Sequence, residues 1–306
     1  MRLPDLVGVL SRPSSLAVAV LTPESIEPSS TPDGAAPWGG WGLHPLDDAA
    51  VLATDATVLD PATTHVLVLA ADSHAPAAHV VASTIAAARP DLPVRVLTAP
   101  VSLTVLVRAL ELVPADAGSP NRVHDAVVAA LDSLTWAAWL PSVAKLSAPP
   151  PSVGQHVRSW FADRKRGFLA VQGDPGWVAQ LPVADLAAER RLTRLARGGA
   201  PYECHVFGEV PETAVATLFD MGLNARPVRR DPIASPATSW GSAKAVELVL
   251  STPVVLPAPE LDRCCPACAE PVAGASCPFC RVAPVRGGSL DPGAPLAPGP
   301  VPEVAS

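Results

Sequence analysis

Aromatic side chains are scarce in this 306-residue chain, which has one Tyr, five Phe and seven Trp, and its 22 basic residues include only three Lys. Its apolar content is mostly Ala and Val, and no interleaved aromatic and basic pattern supports a surface for single-stranded nucleic acid. A net charge of -7 and a sequence pI near 5.5 argue against non-specific nucleic-acid binding by the whole molecule, which needs a basic footprint. The most apolar long stretch, 123–146, is interrupted by Asp125, Asp132 and Pro141 and falls short of the ~18 uninterrupted residues of a membrane span. The N-terminus has a single Arg2 followed by Asp5, and the run 16–21 is too short for a signal-peptide core, so the expectation is a cytoplasmic protein. A dinucleotide glycine fingerprint, a Walker phosphate loop, a Gly-x-Ser-x-Gly elbow and a His-Glu-x-x-His motif are all missing, which weighs against nucleotide-binding and hydrolase classes.

Proline is abundant instead, at 37 residues. Together with the excess of Arg over Lys and the many Ala, this points to a GC-rich, bacterial coding source. The stretch 65–70 is a continuous apolar run of the kind that forms a central parallel strand covered on both faces. Pro76 then opens a helix whose predicted stripe is Val80, Val81, Ile85 and Ala88, followed by a strand at 94–97 and a helix over 101–113. A similar outline recurs with a strand at 202–207, a helix from Pro211 to Met221 and a strand over 223–228. Alternation of this kind predicts an α/β fold with a Rossmann-like, mostly parallel sheet in one or two β-α-β units.

Between these units, Val123, Val127, Leu131 and Leu134 recur at helical spacing. Trp136, Trp139 and Trp160 are expected to pack helices. Ser152 and Gln155 form a capping box after the Pro149–Pro151 break, which marks a domain boundary. Residues 22–48 read as a long loop. The expected organisation is an N-terminal α/β domain over 1–148, a second α/β unit over 152–250, a linker over 251–260, a zinc ribbon over 261–286 and a disordered tail over 287–306.

The sharpest chemical signal is a pair of matching Cys-Pro-x-Cys turns, Cys265/Cys268 and Cys277/Cys280. Four thiolates on two tight turns present a closed tetrahedral set to one metal ion, the pattern of structural Zn²⁺. Too few large apolar groups surround them to hold a fold by burial, so metal binding must supply the folding free energy. Residues 264–282 resemble a short zinc-ribbon module, whose members commonly have Gly after each knuckle where this chain has Ala269 and Arg281. The resemblance implies a structural Zn²⁺ on Cys265, Cys268, Cys277 and Cys280, with Cys264 open as a substitute for Cys265. Arg263 and Arg281 stand beside the ligands and are candidates to offset their charge.

Elsewhere, Asp72, Ser73 and His74 follow the 65–70 strand at the sheet edge where open α/β folds bind ligands, with His79 one turn on. Capping accounts for the same residue types. Glu209 holds the comparable place in the second unit, and Cys204 reads as a small core residue. Arg158, Arg164, Lys165, Arg166, Arg190, Arg194, Arg197, Arg229 and Arg230 form the one basic constellation. With no catalytic set in view, the leading reading is a non-catalytic interaction or adaptor protein that docks another protein through its zinc ribbon. Two alternatives stand beside it: an enzyme binding a small or nucleotide-like ligand at the Asp72–His74 edge, and a nucleic-acid-associated protein.

Overall fold

A computed structural model describes residues 16–22, 42–45, 63–114, 117, 119–161, 167–173, 175–181, 203–212, 227–251, 254 and 263–286. Its first sheet is built from β1 (Leu16–Thr22), β2 (Gly42–Pro45), β3 (His65–Ala71) and β4 (Val94–Ala99) in the order β2-β1-β3-β4, with every pairing parallel. The 65–70 run becomes the interior strand β3, and all of it but Ala71 is buried. Strand β2 falls within the segment read as a long loop.

Alternating residues of β3 feed two different layers. Val66, Val68 and Ala70 face α1 (Ala75–Ala88), which answers with Ala78, Val81, Ala82 and Ile85. Val80, placed on the predicted stripe, is exposed, because the buried face is one built of small residues that let the helix sit close. Leu67 and Leu69 face the opposite way, toward α2 (Leu103–Glu111) and α3 (Pro120–Ser133). Helix α2 is buried from Leu103 to Leu110 because it is enclosed by β1 and β3 on one side and by the second sheet on the other.

The chain enters the second sheet at β5 (Thr135–Leu140), ahead of the Pro149–Pro151 run where the sequence suggested a boundary. Trp136 and Trp139 therefore lie on a strand. Helix α4 (Val153–Phe161) follows with its capping box intact, Ser152 N–H donating to Gln155 Oε1 at 2.8 Å and Gln155 N–H to Ser152 Oγ at 3.2 Å. The sheet is completed by β6 (Phe168–Val171), β7 (Trp177–Gln180), β8 (Glu203–Phe207), β9 (Pro227–Arg230) and β10 (Val246–Ser251), with a short helix α5 (Ala237–Trp240) before β10. Its order is β7-β6-β5-β10-β8-β9, and only β8 and β9 run parallel.

The expectation of a Rossmann-like, mostly parallel sheet throughout is thus corrected: the fold is mixed α/β and its larger sheet is mostly antiparallel. Five residues join β6 to β7, enough for a hairpin and too few for a parallel crossover, and β10 enters between β5 and β8 antiparallel to both. The pair β8/β9 retains the predicted parallel relation, while the body of the helix expected over 211–221, most of the linker expected over 251–260 and the tail at 287–306 lie outside the described residues.

Candidate functional site

The two Cys-Pro-x-Cys turns fold onto each other between the short strands β11 (Arg263–Cys264) and β12 (Val285–Arg286). The sulfurs of Cys265, Cys268, Cys277 and Cys280 all lie within 4.8 Å of one another, a set that can hold a metal ion. Zn–S bonds of about 2.3 Å in a tetrahedron place sulfurs about 3.8 Å apart, and Cys268 and Cys277 are separated by 3.8 Å. Cys264 pairs with Val285 in the ribbon, outside the cluster. Burial pushes the Cys280 thiol up to about 12 and drives Cys268 higher, while hydrogen bonds from its neighbours lower the Cys265 thiol against its burial. Each knuckle closes by the same backbone bond: Ala269 N–H donates to Cys265 O at 2.8 Å and Arg281 N–H to Cys277 O at 2.9 Å. Both closing residues take left-handed backbone, φ 61° and 58°.

This module is joined to the body. Phe279 is buried in the main core, with its ring centroid 4.9 Å from that of His65 at the start of β3 and 6.2 Å from that of His124 on α3. Asn121 Nδ2 donates to Pro271 O at 2.8 Å, and its Oδ1 lies 3.6 Å from Cys277 Sγ. Arg263 donates to Gly274 O within the module, and Arg281 is exposed.

A cleft of about 450 Å³ opens at the end of the second sheet, where β5 and β8 finish and β10 begins. Trp139, Phe207 and Pro232 give it apolar walls, Glu209 and Lys244 lie at its exposed rim, and Glu247 lines its inner end. Gly208, with φ 113°, turns the chain from β8 to Glu209, a conformation a side chain would oppose. Of the sequence candidates, Glu209 lines this cleft, whereas Asp72, Ser73 and His74 lie apart from its lining, in a short 3-10 turn after β3. There Ser73 Oγ and His74 Nδ1 lie 2.9 Å apart, and His79 is exposed. Cys204 is a buried core residue whose thiol is pushed up to about 11 by burial.

Two polar groupings, one buried and one reaching the surface at Glu203, escaped the sequence reading. Glu247, only 3% exposed, accepts from Trp136 Nε1 at 3.3 Å, Trp240 Nε1 at 3.0 Å and the Thr104 hydroxyl, and so ties α2 to the second sheet. At the far end of β10, Arg108 donates to Glu111, Glu203 and Ser251 at 2.8, 2.7 and 3.2 Å. Arg230 adds bonds to Glu111 and to His205 Nδ1 at 3.2 and 2.9 Å, and His205 Nε2 lies 3.1 Å from Glu203. Burial holds the His205 imidazole below its ordinary range, and its hydrogen bond holds Glu203 below the usual carboxylate range, with Arg108 adding to the effect. Apart from Arg108–Glu111 and Glu203–His205, the partners are far apart in sequence, so no local pattern announces the whole set. The expected basic constellation is not brought together among the described residues: Arg230 is consumed here, Arg158 and Arg229 are exposed, and 164–166, 190, 194 and 197 lie outside them.

No family model matches the chain, and no curated protein matches it. Among solved structures, a DegV family protein from Corynebacterium glutamicum is similar at 16% identity, over 79% of this chain and 98% of that one, with a TM-score of 0.51. A DegV family protein from Eubacterium eligens loaded with heptadecanoic acid is similar at 9% identity, over 78% and 99% of the two chains, with a TM-score of 0.50. The fold is therefore DegV-like. These findings correct the adaptor reading: one of the two neighbours in fold is loaded with heptadecanoic acid, and the cysteine module meant for docking a partner is packed into the protein's own core. No helix among the described residues is long and apolar enough to cross a membrane.

Proposed function

We propose that the protein binds a long-chain fatty acid or a similar single-chain amphiphile, with its acyl chain against Trp139, Phe207 and Pro232. The observation that carries this reading is the apolar-walled cleft, whose volume of about 450 Å³ suits a small-molecule site. The DegV-like fold supports it, since a structure of similar fold holds heptadecanoic acid. Lys244 at the rim supplies a cation for a carboxylate.

The test is titration of the purified protein with a fluorescent fatty acid, alongside mass spectrometry of lipid extracted from it. Binding that is weakened at least tenfold by Ala243→Trp, which fills the cleft from an exposed position, is the expected result. Absence of bound and bindable fatty acid overturns the reading. Loss of binding in Asp72→Ala with Ala243→Trp silent moves the ligand to the strand edge and overturns the cleft.

The cysteine cluster is in this reading a structural Zn²⁺ centre, held by Cys265, Cys268, Cys277 and Cys280 with no open position for a substrate. Sulfur spacing, paired backbone closures and a buried floor support the ion as a staple. It would supply no step to ligand binding. Elemental analysis of protein purified under reducing conditions is expected to find one zinc per chain, and its absence sinks the assignment.

A further inference from the structure

Helix α4 is turned inside out. Its apolar residues Val153, Val157, Trp160 and Phe161 recur at i, i+4, i+7 and i+8 and so form one stripe. That stripe faces away from the protein, at 81%, 46%, 73% and 83% exposure, and no residue of the helix is buried. The polar residues face inward instead: Gln155 Nε2 donates to Val178 O at 2.8 Å, and Ser142 Oγ donates to Ser159 Oγ at 3.4 Å. Because Gln155 also caps Ser152, one side chain fixes both the start of the helix and its rotation.

The charge that follows the stripe in the sequence says what covers it. From 158 to 166 the chain carries Arg158, Arg164, Lys165 and Arg166 against Asp163 alone, in a protein whose net charge is -7. An indole and a phenyl ring flanked by cations are what the boundary of an anionic bilayer takes up, with rings among the acyl carbons and guanidinium groups at the phosphates. We propose that α4 docks the protein on an anionic lipid surface, lying in the plane of the interface. The inference stands on this helix and is independent of the ligand assigned to the cleft.

Co-sedimentation of the full-length protein with vesicles of phosphatidylglycerol and phosphatidylcholine, beside vesicles of phosphatidylcholine alone, tests it. The expected result is binding to the anionic vesicles only, weakened by salt, with Arg158→Glu costing more than the ~5-fold that one surface charge is worth. Trp160→Ser with Phe161→Ser should abolish binding and leave the melting temperature unchanged, since both side chains are exposed. Failure of the wild type to bind, equal binding to both vesicle types, or binding that survives the double substitution overturns the proposal. So does a solution dimer that the double substitution dissociates, which would make a second copy the occupant.

Discussion

Asn121 on α3 stands between the cysteine module and the body, its amide oxygen 3.6 Å from Cys277 Sγ and its amide nitrogen bonded to Pro271 O, across 156 and 150 residues of sequence. One buried side chain thus holds both a sulfur of the cysteine cluster and the loop leading to the second knuckle. Asn121→Ala removes both contacts and leaves the half-buried Pro271 carbonyl without this donor, which costs about 1 kcal/mol. The variant should melt lower and lose its metal to a chelator faster than the wild type, as read by calorimetry and a colorimetric zinc assay. Chelation of the wild type should also lower the stability of the first sheet, because Phe279 closes the core beside His65.

Left-handed backbone at Ala269 and Arg281 carries a second expectation. A Cβ in that conformation crowds the following carbonyl at about 1–2 kcal/mol, while Gly there costs about 0.5–1 kcal/mol in unfolded-state entropy. Ala269→Gly and Arg281→Gly should each stabilise the module, by about 0.5–1 kcal/mol. Arg281 is exposed and so is the cleaner test. Equal or lower chelator resistance in both variants would show that the turns relax when the chain is metal-loaded.

What the sequence disclosed was local. The knuckles, the β3 run, the Ser152 capping box and α3 all depend on neighbours within a few residues, and each was readable. Strand β5 was not, because Thr135–Leu140 follows a helix without a break and its Trp spacing fits either element. The antiparallel second sheet was hidden for another reason: β10 finds β5 across more than a hundred residues, and no short-range pattern encodes that insertion. The cleft forms only where β5, β8 and β10 meet, so Glu209 could be suspected from its strand end while Glu247 and Lys244 could not.

His205 should make the protein acid-sensitive well above the carboxylate range. Its Nδ1 accepts from Arg230 and its Nε2–H donates to Glu203, which requires the neutral ring. Protonation would set one N–H against another beside two guanidinium groups. Because burial depresses this imidazole and that of His65 below 6.5, their contribution is present above pH 6.5 and is lost as pH falls through the depressed values. Denaturant midpoints should therefore hold between pH 7 and 8 and drop below pH 6.5. His205→Gln can reproduce both hydrogen bonds without titrating, so it should reduce that drop and leave the remainder to His65. An unchanged profile would exclude His205 as its source.

Glu247 offers a sharper test of how the two sheets are joined, because its partners differ in what they can do. Trp136 and Trp240 are donors only and both address Oε1, whereas the Thr104 hydroxyl at Oε2 can donate or accept. In Glu247→Gln the amide oxygen can keep both indoles and the NH₂ can donate to Thr104, so unfolding in urea should change by less than about 1 kcal/mol. Glu247→Leu leaves all three donors buried and unpaired and should cost on the order of 3 kcal/mol or more. The decisive variant is Thr104→Val: harmless packing would make it equally mild in both backgrounds. The hydroxyl's change of role instead predicts that it costs more in Glu247→Gln, where a buried amide N–H loses its only acceptor, than in Glu247→Leu, where it relieves an orphaned donor.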